Sequence, residues 1–112
     1  MLKIPLQIET NWKVIFVDDK RWQVGVYVPK FNSIKEVEWL ECHDAPELFL
    51  LVRGSVVLVT SSDGKGVVET RMEPGIIYIV DEWHNAYRPE GLEGVTLVVE
   101  KTGIKTEFLN IK

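Results

Sequence analysis

The amino-acid sequence predicts an all-β fold, a sandwich or barrel of about ten short strands. Two observations carry that expectation. Apolar, β-branched runs recur with turn-forming residues between them, and no stretch shows helical periodicity bounded by capping residues. Residues 12–17 are β-branched and aromatic, and Asp18-Asp19-Lys20 turns the chain back into 22–28. Pro29 and Asn32-Ser33 end that run and open an expected strand over 34–41. Pro46 precedes 47–53, Gly54 interrupts, and 55–60 follows. Ser61 to Gly66 is the strongest hairpin signal, because Asp63-Gly64 tolerates the positive φ of tight β-turns. Residues 67–72 come next, then Glu73-Pro74-Gly75 and the run 76–80. Pro89-Glu90-Gly91 and Gly94 precede 95–101, and Gly103 precedes 104–111.

The runs 48–52 and 76–80 are apolar on both phases of a strand, so neither face suits water. Both are expected as central strands of two antiparallel sheets closing into a barrel. The barrel interior covers one face of each, and the opposite face needs a second sheet or a partner subunit. Two readings follow, a two-sheet core or a homodimer whose interface takes part of the surplus, and the homodimer is the expectation.

Composition bounds the partners. The 112 residues leave room for one domain, spanning 1–112, built on one core. The formal charge of -4 is evenly spread, with seven Lys/Arg against eight Asp/Glu in residues 1–56 and six against nine in 57–112. With no basic stripe to neutralise phosphates, nucleic acid is not an expected partner. No apolar run approaches the ~20 residues of a membrane helix, and the first residues lack a signal peptide's apolar core. The lone Cys42 cannot form an internal disulfide, which points to a reducing cytoplasm. Abundant Ile, Val, Glu and Lys with only two Gln lean toward a thermophilic source.

Two segments carry candidate chemistry. The first runs Glu41-Cys42-His43-Asp44-Ala45-Pro46-Glu47, then an apolar strand to Gly54. The second runs Glu73-Pro74-Gly75, then 76–80, then Asp81-Glu82-Trp83-His84-Asn85. In order, spacing and intervening turn they resemble the two motifs of the cupin superfamily. The first motif reads His-x-His, three or four residues, Glu, six residues, Gly. The second reads Gly, five residues, Pro-x-Gly, two residues, His, three residues, Asn. The resemblance spans roughly residues 34–101 and implies a cupin-like double-stranded β-helix of jelly-roll type.

The same resemblance implies a divalent metal (Fe, Mn, Zn or Ni) held by two His and a Glu of the first motif and a His of the second. Counting three residues back from Glu47 places His43 at the second His position and Glu41 at the first. Strand alternation then sends Glu41 and His43 to one face and Cys42 to the other. Counting four back places Leu40 and Cys42 there, and no complete set survives. The second motif is two residues shorter than the pattern, with His84 next to Trp83 and Arg88 where the Asn would stand. His43 and His84 are the only two histidines in the chain, and both fall inside the motifs. Two readings therefore stand: a metal set of Glu41, His43, Glu47 and His84, or a His43 that caps a turn beside Asp44 and a His84 that hydrogen-bonds at the barrel mouth.

Trp83, Tyr78 and Arg88 are the candidate ligand contacts, through stacking on a planar or sugar ring and through orientation of an anionic group. Three functions follow from the resemblance. One is a binding protein holding a small polar metabolite, a sugar derivative or a carboxylic acid. Another is a metal-dependent isomerase or dioxygenase. The third is a non-catalytic dimeric module that has lost its site. Fold alone does not choose among them.

Overall fold

The computed structural model describes residues 1–7 and 11–112. Among these are ten strands: β1 (Trp12–Asp18), β2 (Trp22–Tyr27), β3 (Trp39–His43), β4 (Glu47–Gly54), β5 (Val57–Ser61), β6 (Val68–Arg71), β7 (Ile77–Val80), β8 (Trp83–Tyr87), β9 (Gly94–Lys101) and β10 (Thr106–Asn110). They form two five-stranded sheets, ordered β1-β2-β9-β4-β7 and β10-β3-β8-β5-β6, with every pairing antiparallel. The expected all-β architecture is what the chain adopts. No helix among the described residues is long and apolar enough to cross a membrane.

The core lies between the sheets, where Phe49, Leu51, Val56, Leu58, Met72, Val80, Ala86 and Val98 form one buried cluster. A second cluster, Val37, Leu40 and Val59 with Phe31, Ile34, Trp83, Tyr87 and Ile111 against it, lies over β3, β5 and β8. That cluster explains one departure from the sequence expectation. Residues 34–36 form a 3-10 turn, and the strand expected over 34–41 begins only at Trp39. Ile34 and Val37 stand three residues apart, so a tight turn drives both into the same cluster, and Glu36 accepts the Asn32 backbone N–H at 3.1 Å.

Two further departures concern β7 and β8. The run 76–80 is an edge strand and not a central one; Ile77 and Ile79 stand 59% and 61% exposed, while Val80 turns inward. β8, Trp83–Tyr87, has no apolar run to announce it, yet it sits in mid-sheet between β3 and β5 with His84, Asn85 and Ala86 buried. β4 is central as expected, between β9 and β7.

Gly54 ends β4 with φ 79°, and a Cβ there would lie 2.0 Å from the Glu93 carbonyl oxygen. Both the left-handed backbone and the close approach require glycine at the position where the family pattern also has one. Leu40, fully buried, anchors β3 from the side opposite the acidic and imidazole residues. Leu40→Ala is expected to cost about 2–5 kcal/mol and Gly54→Ala at least about 1 kcal/mol. Urea denaturation followed by circular dichroism measures both.

Candidate metal centre

Three strands deliver four side chains to one point. Alternation along β3 turns Glu41 and His43 inward and Cys42 outward, and β4 begins with Glu47 on its inward phase. Glu41 pairs directly with His84 across the β3–β8 ladder, which brings the second motif to the first. Asp44 fixes the β3–β4 corner. It accepts the Lys105 backbone N–H at 3.0 Å and the Lys101 ammonium at 2.9 Å. The corner is thus capped by Asp44 and not by His43, whose ring points into the barrel.

The ligand atoms converge. His43 Nε2 lies 3.7 Å from Glu41 Oε1 and in direct contact with Glu47 Oε1. His84 Nε2 lies 3.1 Å from Glu47 Oε1 and 3.9 Å from Glu41 Oε1. The donor atoms of Glu41, His43 and His84 all fall within 4.8 Å of one another. Four ligands at ~2.0–2.2 Å from one ion stand ~3–3.5 Å apart, so this spacing is close to what an ion requires.

The outer nitrogens are tied down as well. His84 Nδ1 donates to the Glu82 carbonyl at 2.8 Å, which leaves Nε2 as the inward lone pair. His43 Nδ1 bonds the Thr106 hydroxyl at 2.9 Å. Glu47 Oε1 and His84 Nε2 are buried and face each other within hydrogen-bonding range, but neither is aligned for a hydrogen bond. A proton between them would be poorly placed, whereas a shared cation would engage both atoms. The residues present fit a divalent ion.

The electrostatics of the ion-free state agree. Burial pushes the Glu47 carboxyl up, but the close approach and charge of the His43 and His84 imidazoles outweigh it and hold the group well below the usual carboxylate range. Burial lowers the His43 imidazole, and the Glu47 and Glu41 carboxylates outweigh that and raise it. Glu41 is raised, chiefly by burial against the opposing pull of the two imidazoles.

The four residues sit in the wall of a cavity of about 270 Å³ inside the barrel. Trp12, Tyr27, Trp39, Phe49, Asn85 and Glu100 supply much of the remaining lining. Gly25 admits the Trp12 ring, since a Cβ at that position would lie 2.1 Å from the indole. Asn85 is locked: its amide donates to the Trp39 carbonyl at 2.8 Å, and its oxygen accepts from Tyr27 at 3.4 Å. Gln23 donates to Glu100 at 2.9 Å. Burial, then the nearby Glu47 carboxylate, raises the Glu100 carboxyl; burial, then Glu41 and Glu47, raises the Tyr27 phenol.

Trp83, Tyr78 and Arg88 fall outside this lining among the described residues. Trp83 packs on the Val37–Leu40–Val59 cluster, and the Tyr78 hydroxyl accepts the Glu73 backbone N–H at 2.9 Å. The Arg88 guanidinium is spent on the carbonyls of Pro29 at 2.6 Å, Leu92 at 3.1 Å and Gly91 at 3.4 Å. The sequence reading missed Glu100 and Asn85. Glu100 had a signal, for it shares the inward phase of β9 with Thr96 and Val98.

Solved structures match this arrangement of strands. A cupin-2 domain protein from Shewanella frigidimarina superposes with a TM-score of 0.60 at 16% identity, covering 85% of this chain and 82% of that one. A cupin-like protein from Thermotoga maritima gives 0.61 at 15% identity, covering 89% and 75%. This is the cupin fold. A third cupin-fold structure, the cobalt(II) form of HppE with its substrate, gives a TM-score of 0.65 at 13% identity, covering 88% of this chain but 56% of that one. No protein-family model and no curated sequence matches the chain.

The shifts set opposite pH trends for the two states. The raised His43 contributes stability to the ion-free protein below about pH 6.5, and that contribution disappears as pH rises through its folded value. The depressed Glu47 contributes above about pH 4.3 and is lost as pH falls through its own folded value. A metal needs neutral imidazole, so its affinity is expected to fall as pH drops, beginning above about 6.5. Raising pH from about 6 to about 8.5 should therefore lower the melting temperature of chelator-treated protein and raise that of zinc-loaded protein. Parallel thermal scans check the crossing.

Proposed function

We propose that the chain is a metal-dependent small-molecule-binding cupin in which Glu41, His43, Glu47 and His84 hold one divalent ion. The observation that carries this reading is the buried, unaligned approach of Glu47 Oε1 and His84 Nε2, with the outer nitrogens of both imidazoles already bonded elsewhere. The mixed nitrogen and oxygen donors suit Fe, Mn, Zn or Ni. A bound ion would supply Lewis acidity to an oxygen of the ligand. The chain's own residues do the rest. Trp12, Trp39 and Phe49 give apolar walls, and Tyr27 and Asn85 present a fixed hydroxyl and amide beside the four ligands. Elemental analysis of protein purified without a metal-binding tag should return about one equivalent of a transition metal. His84→Ala and Glu47→Gln should each lose most of it, and should abolish the stabilisation by added metal seen in the unaltered chain. Metal retained at full occupancy in both variants would reject the reading.

We also infer a homodimer through the outer face of the first sheet. By register, Ile77 and Ile79 of β7 share that face with Leu48 and Leu50 of β4, Leu97 and Val99 of β9, and Val24 of β2. Phe16 and Trp22, each 41% exposed, extend it at 5.7 Å between ring centroids. An apolar patch running across all five strands suits a second copy of the same surface. Light scattering should give twice the 12.9 kDa chain mass, and Ile79→Lys should return it to the single-chain value. A single-chain mass for the unaltered protein across micromolar concentrations would reject the dimer.

A further inference from the structure

The charge of the cavity narrows what can enter it. The cupin pattern that this chain resembles places three imidazoles and one carboxylate around a divalent ion, a set that keeps one positive charge and welcomes an anionic ligand. Here Glu41 stands at the first His position and points inward beside His43. Two carboxylates then cancel the ion completely. Glu100 adds a third carboxyl to the same lining, 91% removed from solvent and facing Glu47. Whether or not Glu100 holds a proton, the sum over ion and lining does not rise above zero.

No Lys or Arg lines the cavity among the described residues. Three basic side chains near it are committed elsewhere. Lys101 pairs with Asp44 at 2.9 Å, Arg88 is spent on backbone carbonyls, and Lys30 stacks on the rings of Phe31 and Trp39 without joining the lining. An anion entering this space loses its hydration and meets no net positive charge, which is the costly case for a buried ion. A neutral ligand meets Tyr27, Asn85 and Thr106 for hydrogen bonding and the indoles of Trp12 and Trp39 for packing.

We infer that Glu41 and Glu100 make this an anion-excluding cavity, whose ligand is an uncharged, hydroxyl- or carbonyl-bearing small molecule. The inference rests on the metal reading above for its arithmetic but not for its sign, since three carboxylates and two imidazoles without an ion also carry no net positive charge. Of the two ligand classes named from the sequence, an uncharged sugar derivative fits and a free carboxylic acid does not.

Cobalt(II)-loaded protein tests this through its visible absorption, titrated with azide as the anion and imidazole as the neutral ligand. The unaltered chain should bind imidazole at least about tenfold more tightly than azide, given the strength of one unit charge at this range. Glu41→His should narrow or reverse that ratio by about tenfold, and Glu100→Gln by several-fold in the same direction. Glu41→Gln, which keeps the side chain's shape, covers the case in which Glu41→His fails to fold. Azide binding as tight as imidazole in the unaltered chain, or a ratio that no substitution moves, would overturn the inference. Failure to take up cobalt would count against the metal reading alone. Metal-free protein then decides the charge question by saturation-transfer NMR: contact with glycolamide and none with glycolate supports it, and glycolate binding as well as glycolamide overturns it.

Discussion

A carboxylate removed from water needs compensation close at hand, because the interior of a β-barrel offers little polarisation to replace the lost hydration. Glu47 is 5% exposed and opens the central strand β4, so the fold meets that requirement at its middle or not at all. It does so with two imidazoles from two different strands of the opposite sheet. His43 arrives from β3, one corner earlier in the chain, and His84 from β8, nearly forty residues later. The second sheet is held to the first at this point by charge as well as by apolar packing, and the ring of Phe49 closes against His84 at 5.9 Å between centroids. The corner, the β3–β8 register and the inward phase of β4 all serve one position.

Such a cluster is a poor source of net stability. Replacing buried ionic groups with apolar ones of similar volume is often neutral or stabilising, so folding energy alone does not account for them. The bonding of the outer nitrogens agrees, because Thr106 and the Glu82 carbonyl orient rings that the core alone would leave free to turn.

Most of the architecture was readable because strand period and turn chemistry are local. The Asp63-Gly64 hairpin, the run 47–53 and the inward phase of Glu41 and His43 need only neighbouring residues to specify them. What escaped depends on contacts distant in sequence. β8 is written in polar letters, and its burial makes sense only once Glu47 stands beside His84 and Trp39 and Tyr27 satisfy Asn85. The segment 34–36 has strand-like composition, yet Val37 and Leu40 on the outer side of the second sheet draw it into a tight turn. The central place expected for 76–80 failed for the opposite reason. An apolar strand looks the same whether another strand or another molecule covers it. In the candidate site, the four proposed ligands came from motif spacing, whereas Trp83, Tyr78 and Arg88 came from residue type alone and stand in the scaffold.

The missing side chain at Gly25 reaches further than its own strand. It makes the space in which the Trp12 indole lies at the cavity wall, so part of the cavity is dimensioned by an atom that is not there. A change to alanine alters no ligand and no charge, yet it must displace a whole indole and reshape that wall. Position 25 is thus a point where a single-nucleotide step can retune the space offered to a ligand while the four side chains of the candidate metal centre stay as they are.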